Sequence, residues 1–505
     1  MKFTVIAIYV FVVMGIAVYS MRKTKTEDDF ILGNRSIGPW VSAFAYGTTY
    51  FSAVLFIGYA GKVGWGFGMS GLWIVLGNAL VGGYLAWKVL AKPTRRMTTR
   101  LGSRTMPEFL EARFNCKSMK IVSALIIFTF LVPYSASVYM GLSYFFEEIF
   151  HIAFGQALLF IAILTGAYLV MGGYFAITMT DFVQGIVMMF GVILLIFYVV
   201  TDAHVGGLSA GLEKLAAIEP RLVQPVGPPG ILPLLSLVIL TSLGAWGLPQ
   251  MVQKFYAIES EQSIPQAMTV TTVFAFLMTL GAYFTGGFSR LFFDNQMPLG
   301  PGGQPSPDVI MPQIISQALP EIVGVILLLL VLAASMSTLA SLVLVSSSAI
   351  VVDLVQGTMK PDMDRKHVVL LLRVFCVIFI GLSVYLALTP TVILTLMSIS
   401  WGTVAGAFLA PYLYGLYWRG TTLAGAWAGI ISGLSISLGL SIYTHMDAQL
   451  IPMIGSLAIV APLVIVPAVS AVTSPYSHEH LAKVFGEEYQ DGQISSEGLM
   501  THDLG

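Results

Sequence analysis

Apolar residues run along this chain in long blocks, and polar positions collect between the blocks. A helix needs roughly 20 consecutive apolar residues to cross hydrocarbon, whereas a half-buried strand would alternate with period two. Thirteen such blocks can be drawn, at 3–20, 41–60, 68–91, 121–147, 155–172, 180–200, 230–250, 263–288, 321–345, 368–388, 391–418, 422–443 and 450–472. No small-residue cleavage pattern precedes the basic run from Arg22, so the first block reads as a retained span rather than a leader. The pattern predicts an all-α integral membrane protein.

Two blocks carry helix breakers. VSAFAYGTTYFSAVLFIGYAG, from Val41, holds Gly47, Gly58 and Gly61, and ILPLLSLVILTSLGAWGLPQ, from Ile231, ends with Gly244, Gly247 and Pro249. Glycine weakens a helix and proline removes a backbone donor, yet unwound backbone survives at membrane depth only inside protein or along a cavity. The second interrupted block is the sixth counted from the first. That spacing predicts two inverted five-span repeats and a binding site at mid-membrane. The alternative is that the glycines simply let helices approach closely.

A third block is unusual for its oxygens. Between Glu321 and Asp353 no residue is charged, yet Ser335, Ser337, Thr338, Ser341, Ser346, Ser347 and Ser348 all fall there. Ala334, Ser337, Thr338 and Ser341 stand at i, i+3, i+4 and i+7, on one helical face. Neutral hydroxyls avoid the cost of a buried carboxylate, and a small hard cation takes oxygen ligands. The competing reading is back-bonding to carbonyls one turn earlier, or hydrogen bonds between helices.

Composition and charge sharpen the picture. Of 505 residues 56% are hydrophobic and only 10% charged, with a mean hydropathy of +0.84, which excludes an ordinary soluble domain. Net charge is −1, so nothing points to nucleic acid. With the N-terminus outside, basic residues crowd the inner loops at 22–35, 92–120 and 360–366, joined by Lys254, while the outer side holds Lys2, Lys62, Lys214, Arg221 and Arg290. The positive-inside rule therefore puts the C-terminus in the cytoplasm. Cys116 and Cys376 lie too far apart in this topology to pair. The polar stretch from Thr473 reads as a disordered cytoplasmic tail with no appended domain. The seven histidines fall in loops, span ends or the tail, so an intramembrane serine hydrolase would lack its base and no enzyme is expected.

AASMSTLAS (333–341) with SSSAIVVDL after it, TMPEFLEARF (105–114) and GGYFAITMTDFVQG (172–185) resemble motifs of the sodium/solute symporter family over residues 1–472. The resemblance implies a leucine-transporter-like fold. Residues 1–40 would be an extra helix and inner loop, 41–200 and 201–420 the two repeats, 421–472 extra helices and 473–505 the tail. It implies a co-transported Na⁺ held by the carbonyls of Thr48, Phe51 and Ala334 and the hydroxyls of Ser337 and Thr338, with Ser52 in support. Some members have a second sodium site, here matched by Asp181, Ser337 and Ser341, although Ala340 stands where those members carry a third serine. By position, the solute would meet Tyr50, Ser52, Val54, Tyr134, Trp246, Gln250 and Trp401. Ala53 and Val54 replace the polar pair of the sugar carriers. TTYFSAVLFIG and YSMRK (19–23) resemble the branch for pantothenate and monocarboxylates, and GAWGLPQMVQKF (244–255) resembles the proline carriers. The expectation is a multi-pass carrier of the inner (plasma) membrane, monomeric in function, that imports a small carboxylate-bearing solute with sodium. A sugar or sialic acid symporter, or a non-transporting sensor on the same fold, are the alternatives.

Overall fold

The structure, a computed structural model, describes residues 2–21, 27–300, 303–389 and 391–486. The basic residues Arg22, Lys23 and Lys25 and the last part of the tail lie outside the described residues. Among the described residues the chain is helical, and nine helices are long and apolar enough to cross a membrane. A bent pair, Ile231–Gly247 with Pro249–Ala257, makes a tenth, and Thr4–Ser20 and Phe154–Ala167 are shorter apolar helices.

Burial sorts these helices into an interior and a perimeter. Ile393–Tyr417 is 94% buried and Glu321–Met359 78%, against 33% for Lys366–Ala387 and Leu423–Tyr443. The hydroxyl-rich helix Glu321–Ser348 is therefore central, packed against Phe154–Thr201, Lys117–Phe150 and Pro39–Tyr50. The first helix, Lys2–Met21, lies against Phe154–Thr201. That long helix is interrupted at Gly173, whose φ of 62° suits glycine and whose added Cβ would stand 2.8 Å from the Phe30 ring. The interruption divides the expected spans 155–172 and 180–200.

The glycines of the first interrupted span do not unwind it. A Cβ on Gly47 would come 2.4 Å from the Phe274 ring, one on Gly58 2.8 Å from Ile393, and one on Gly61 2.6 Å from Pro307 O. They permit close packing. The span breaks between them instead, at Phe51 (φ −115°, ψ 109°), and helical backbone resumes at Ala53. In the other interrupted span Leu248 is extended (φ −85°, ψ 122°) and Pro249 opens the next helix, with a 47° bend between the halves.

The described part of the tail, residues 473–486, holds a helix where disorder was expected. His478–Phe485 is a helix capped by Ser477, whose hydroxyl accepts from His480 N. Apolar and aromatic contacts hold it: the Arg113 guanidinium carbon lies 5.8 Å from the Tyr476 ring centre and 5.3 Å from that of Phe485.

Candidate ion and solute site

The break at Phe51 leaves the carbonyls of the preceding turn without their usual helical partners, and the central helix supplies substitutes. Ser337 Oγ donates to Thr48 O and to Ala334 O, both at 3.0 Å. Thr338 Oγ1 reaches Thr48 O and Thr49 O at 3.2 Å and Ala334 O at 3.1 Å. Five oxygens from two helices thus converge in a fully buried place. The hydroxyls do bond back to Ala334, as the competing reading required, but each also spans to the broken helix.

Of the five residues expected to hold sodium, Thr48, Ala334, Ser337 and Thr338 come together. Among the described residues neither hydroxyl hydrogen-bonds to the Phe51 carbonyl; Thr338 reaches instead the carbonyl of Thr49, which sequence reasoning passed over. The first half of the span ends with Phe51 N donating to Gly47 O, so the carbonyls of Thr48 and Thr49 are the next ones open to the central helix.

Beside this cluster lies a nearly filled cavity, with free room of about 20 Å³, walled by Tyr50, Phe51, Ser52, Val54, Leu55, Tyr59, Asn78, Tyr134, Thr241, Tyr283, Met397 and Trp401. The Tyr50 and Trp401 rings stack at 6.1 Å and Tyr134 meets Trp401 edge-on at 5.7 Å. Ser52 caps the restarted helix by accepting from Val54 N at 3.2 Å. Asn78 was not foreseen. Its Oδ1 accepts from Thr241 Oγ1 at 2.9 Å and Ser242 Oγ at 3.0 Å, while the Tyr50 hydroxyl donates to Thr241 O at 2.7 Å. A lone amide in an otherwise apolar block was the available signal.

Five of the seven expected lining residues face this cavity: Tyr50, Ser52, Val54, Tyr134 and Trp401. Trp246 instead donates from Nε1 to Val81 O at 2.9 Å, tying the bent span to its neighbour. Gln250 is buried in the first turn after the bend, with neither end of its amide hydrogen-bonded. Neither is among the residues of the cavity wall; Trp246 lies just before the 47° bend and Gln250 just after it.

The second set, Asp181, Ser337 and Ser341, is rearranged by a lysine. Lys254, expected in an inner loop, lies within Pro249–Ala257 and is buried. Its Nζ donates to Ser341 Oγ at 3.1 Å and stands 3.9 Å from Asp181 Oδ2. Ser341 also shares a hydrogen bond with Thr49 Oγ1 at 3.0 Å. Ser337 points the other way, into the carbonyl cluster.

Comparison with known proteins gives a consistent family. Residues 30–433 match the model of the sodium:solute symporter family. The sodium/proline symporter of Salmonella typhimurium is 34% identical over 468 residues, covering 90% of this chain and 91% of that protein. That of Escherichia coli K12 is 32% identical over 84% of this chain and 85% of its own length. A solved Na⁺-coupled sialic acid symporter, substrate-bound and outward-open, has the same fold: TM-score 0.76 at 17% identity, covering 94% of this chain and 98% of that one. A nucleobase-cation-symport-1 family transporter, closed around a bound hydantoin, is a more distant likeness at TM-score 0.51 and 14% identity, covering 91% and 99%.

Proposed function

The chain belongs to the sodium:solute symporter family, and on that premise we propose that this sodium-coupled symporter of a small solute carries a compact carboxylate-bearing molecule, proline before others. The observation that carries the reading is the meeting of the Ser337 and Thr338 hydroxyls with the Thr48, Thr49 and Ala334 carbonyls, next to an aromatic cavity. A sodium ion would take the carbonyl oxygens that the two hydroxyls now reach, while their hydrogens turn away and present lone pairs. Phe51 O, at the end of the same helix, is the further candidate ligand. Binding there would pin the broken helix to the central one and steady Tyr50 and Ser52 against the solute.

The cavity is nearly filled: its free volume of about 20 Å³ lies far below the roughly 300–1,000 Å³ of ligand pockets, so the aromatic walls must part to admit even a compact solute. Tyr50, Tyr134 and Trp401 offer faces to a saturated ring. A sugar would need several hydrogen-bond partners, and the Asn78 carbonyl oxygen is already engaged. The solute carboxylate is assigned to the sodium side, where the ion would balance its charge. The sodium/proline symporters among the relatives support the choice of proline.

The wider arrangement follows from the same reading. Counting Pro39–Phe67 as a crossing of its own, with the shorter apolar helices and the bent pair, brings the crossings to thirteen, as two five-span repeats with one extra helix before them and two after. The paired breaks at Phe51 and Leu248 support that symmetry. The N-terminus would be outside and the functional unit a monomer in the plasma membrane. Transport would proceed by alternating access, one bundle rocking about the site. A potential of about 100 mV contributes roughly 2.3 kcal/mol per charge and a tenfold sodium gradient about 1.4 kcal/mol. One ion would thus support accumulation on the order of several-hundredfold.

The test is uptake of labelled L-proline into proteoliposomes. An inward sodium gradient with the inside negative should drive accumulation, and potassium in place of sodium should abolish it. Uptake indifferent to both sodium and potential would overturn the symport reading. Sodium-driven uptake of another carboxylate, found in a thermal-shift panel, would overturn only the choice of proline. Counterflow of labelled solute separates a carrier from a sensor.

A further inference from the structure

Beside the sodium cluster lies a buried cation that the cluster does not use. Lys254 sits in the second half of the bent span and is 1% exposed. Its ammonium reaches Asp181 Oδ2 at 3.9 Å, Ser341 Oγ at 3.1 Å and the face of the Tyr174 ring, 5.0 Å from its centre. A carboxylate, a serine hydroxyl and an aromatic face surround it as ligands surround a monovalent cation. Asp181 is fully buried, and neither of its oxygens takes a hydrogen bond among the described residues. Lys254 is therefore the group that balances its charge.

We propose that Lys254 is a tethered cation standing where a second sodium ion would otherwise bind, so that this carrier takes up one sodium ion per cycle. The proposal rests on the sodium reading above, since it concerns what surrounds that first ion. Asp181 and Ser341 are the oxygens such an ion would use, and both are occupied by the ammonium. Ala340 offers no further side-chain oxygen there. A lysine cannot leave with the solute, so the charge it supplies holds the fold together but contributes nothing to the driving force. Ser341 links it onward: Thr49 Oγ1 lies 3.0 Å from Ser341 Oγ, and Thr49 O accepts from Thr338. The lysine is thus bonded into the same oxygen network as the first ion and fixes the orientation of the Ser341 hydroxyl.

Direct ²²Na⁺ binding to the purified full-length protein tests this without knowledge of the solute. The wild type should bind about one sodium ion per chain with a Hill coefficient near one. Lys254→Gln, which leaves Asp181 without its counter-charge, should raise the count to about two and steepen the curve. Lys254→Arg, which keeps a fixed cation, should stay at about one, and Lys254→Gln combined with Asp181→Asn should return to about one. A wild-type count of two overturns the proposal, as does Lys254→Gln binding a single ion with unchanged half-saturation. Should Lys254→Gln not survive purification, the wild-type count decides. No sodium bound by the wild type would instead withdraw the Ser337–Thr338 site, a different failure.

Discussion

Ser337 and Thr338 differ in how much of their bonding a substitution can keep. Thr338→Ser preserves an oxygen at the same place, whereas Thr338→Val keeps the shape and loses it. Ser337→Ala removes the hydroxyl that bridges Thr48 O and Ala334 O. Hydrogen bonds and ligand contacts to a charge contribute about 1.5–3 kcal/mol each. Each lost hydroxyl should therefore weaken sodium roughly tenfold or more, with Thr338→Ser close to wild type. The half-saturating sodium concentration for thermal stabilisation, with potassium as control, measures this. Equal sodium affinity in Thr338→Val and wild type would remove Thr338 from the site. Helical spacing in the sequence was enough to put Ala334, Ser337 and Thr338 on one face. What it lacked was the register between helices that meet only in the fold. The Thr49 carbonyl escaped notice because the place of the break is set locally, with Ser52 accepting from Val54 N, and Lys254 looked interfacial because a lysine near an apolar block usually snorkels outward.

At the level of elements, breaks and contacts have separate causes, and each can be altered alone. Pro39–Phe67 and Ile264–Gly287 touch through glycines: an added Cβ on Gly286 would stand 2.1 Å from Ala60 O, and one on Gly64 2.0 Å from Gly286 O. Both obstacles are backbone, so no side chain can swing aside. Gly286→Ala should lower stability by about 1–3 kcal/mol, read as a fall in melting temperature, while Gly324→Ala, with open space around it, should not. Another element depends on a single carboxyl. Asp308 Oδ2 accepts from Ile393 N at 3.2 Å and so caps the most buried helix. Burial pushes its carboxyl up to about 7, against the backbone bond to Ile393 and the nearby charge of Lys62. An unfolded Asp titrates near 3.9. Between those values the folded chain holds a proton that the unfolded chain has released, so stability is fully present below about pH 4 and declines as pH rises through about 7. Asp308→Asn should remove up to about 1.4 kcal/mol per pH unit of that slope. Identical melting-temperature profiles for variant and wild type from pH 5 to pH 8 would show that the carboxyl does not titrate there. The sequence marked both broken spans, since Gly and Pro in hydrocarbon are visible locally. It misassigned the glycines because close approach and unwinding use the same residue.

Across the whole molecule the ends of separate segments at one face are tied by the described part of the tail. Arg113 Nε donates to Gly415 O at 2.8 Å and its NH2 to Trp418 O at 3.1 Å, joining Met106–Phe114 to the end of Ile393–Tyr417. The tail then covers this junction. Tyr476 donates to Phe114 O at 2.6 Å, and His480 donates from Nε2 to Arg113 O at 2.9 Å, which requires the Nε2–H tautomer. Arg100 donates to Val484 O at 3.2 Å, bringing in Lys92–Leu101. A polar composition read as disorder concealed this, because aromatic and guanidinium groups far apart in sequence find each other only once the helices are assembled. Any rocking that opens this face must carry these segments together or part them. Ending the chain before Tyr476 should cost about 1–3 kcal/mol, the range for a few desolvated cation–aromatic and hydrogen-bonded contacts. None of the described tail residues hydrogen-bonds to Ser337 or Thr338, so sodium affinity should hold. A double-mutant cycle makes the argument specific to Arg113. Arg113→Ala should be costly in the full chain, where it strips the tail of its partner as well as freeing Gly415 and Trp418. In the shortened chain it should cost less, by a coupling of about 1 kcal/mol or more. Strictly additive losses in melting temperature would mean that the tail and the Arg113 junction act independently, and that the tail helix does not clamp this face.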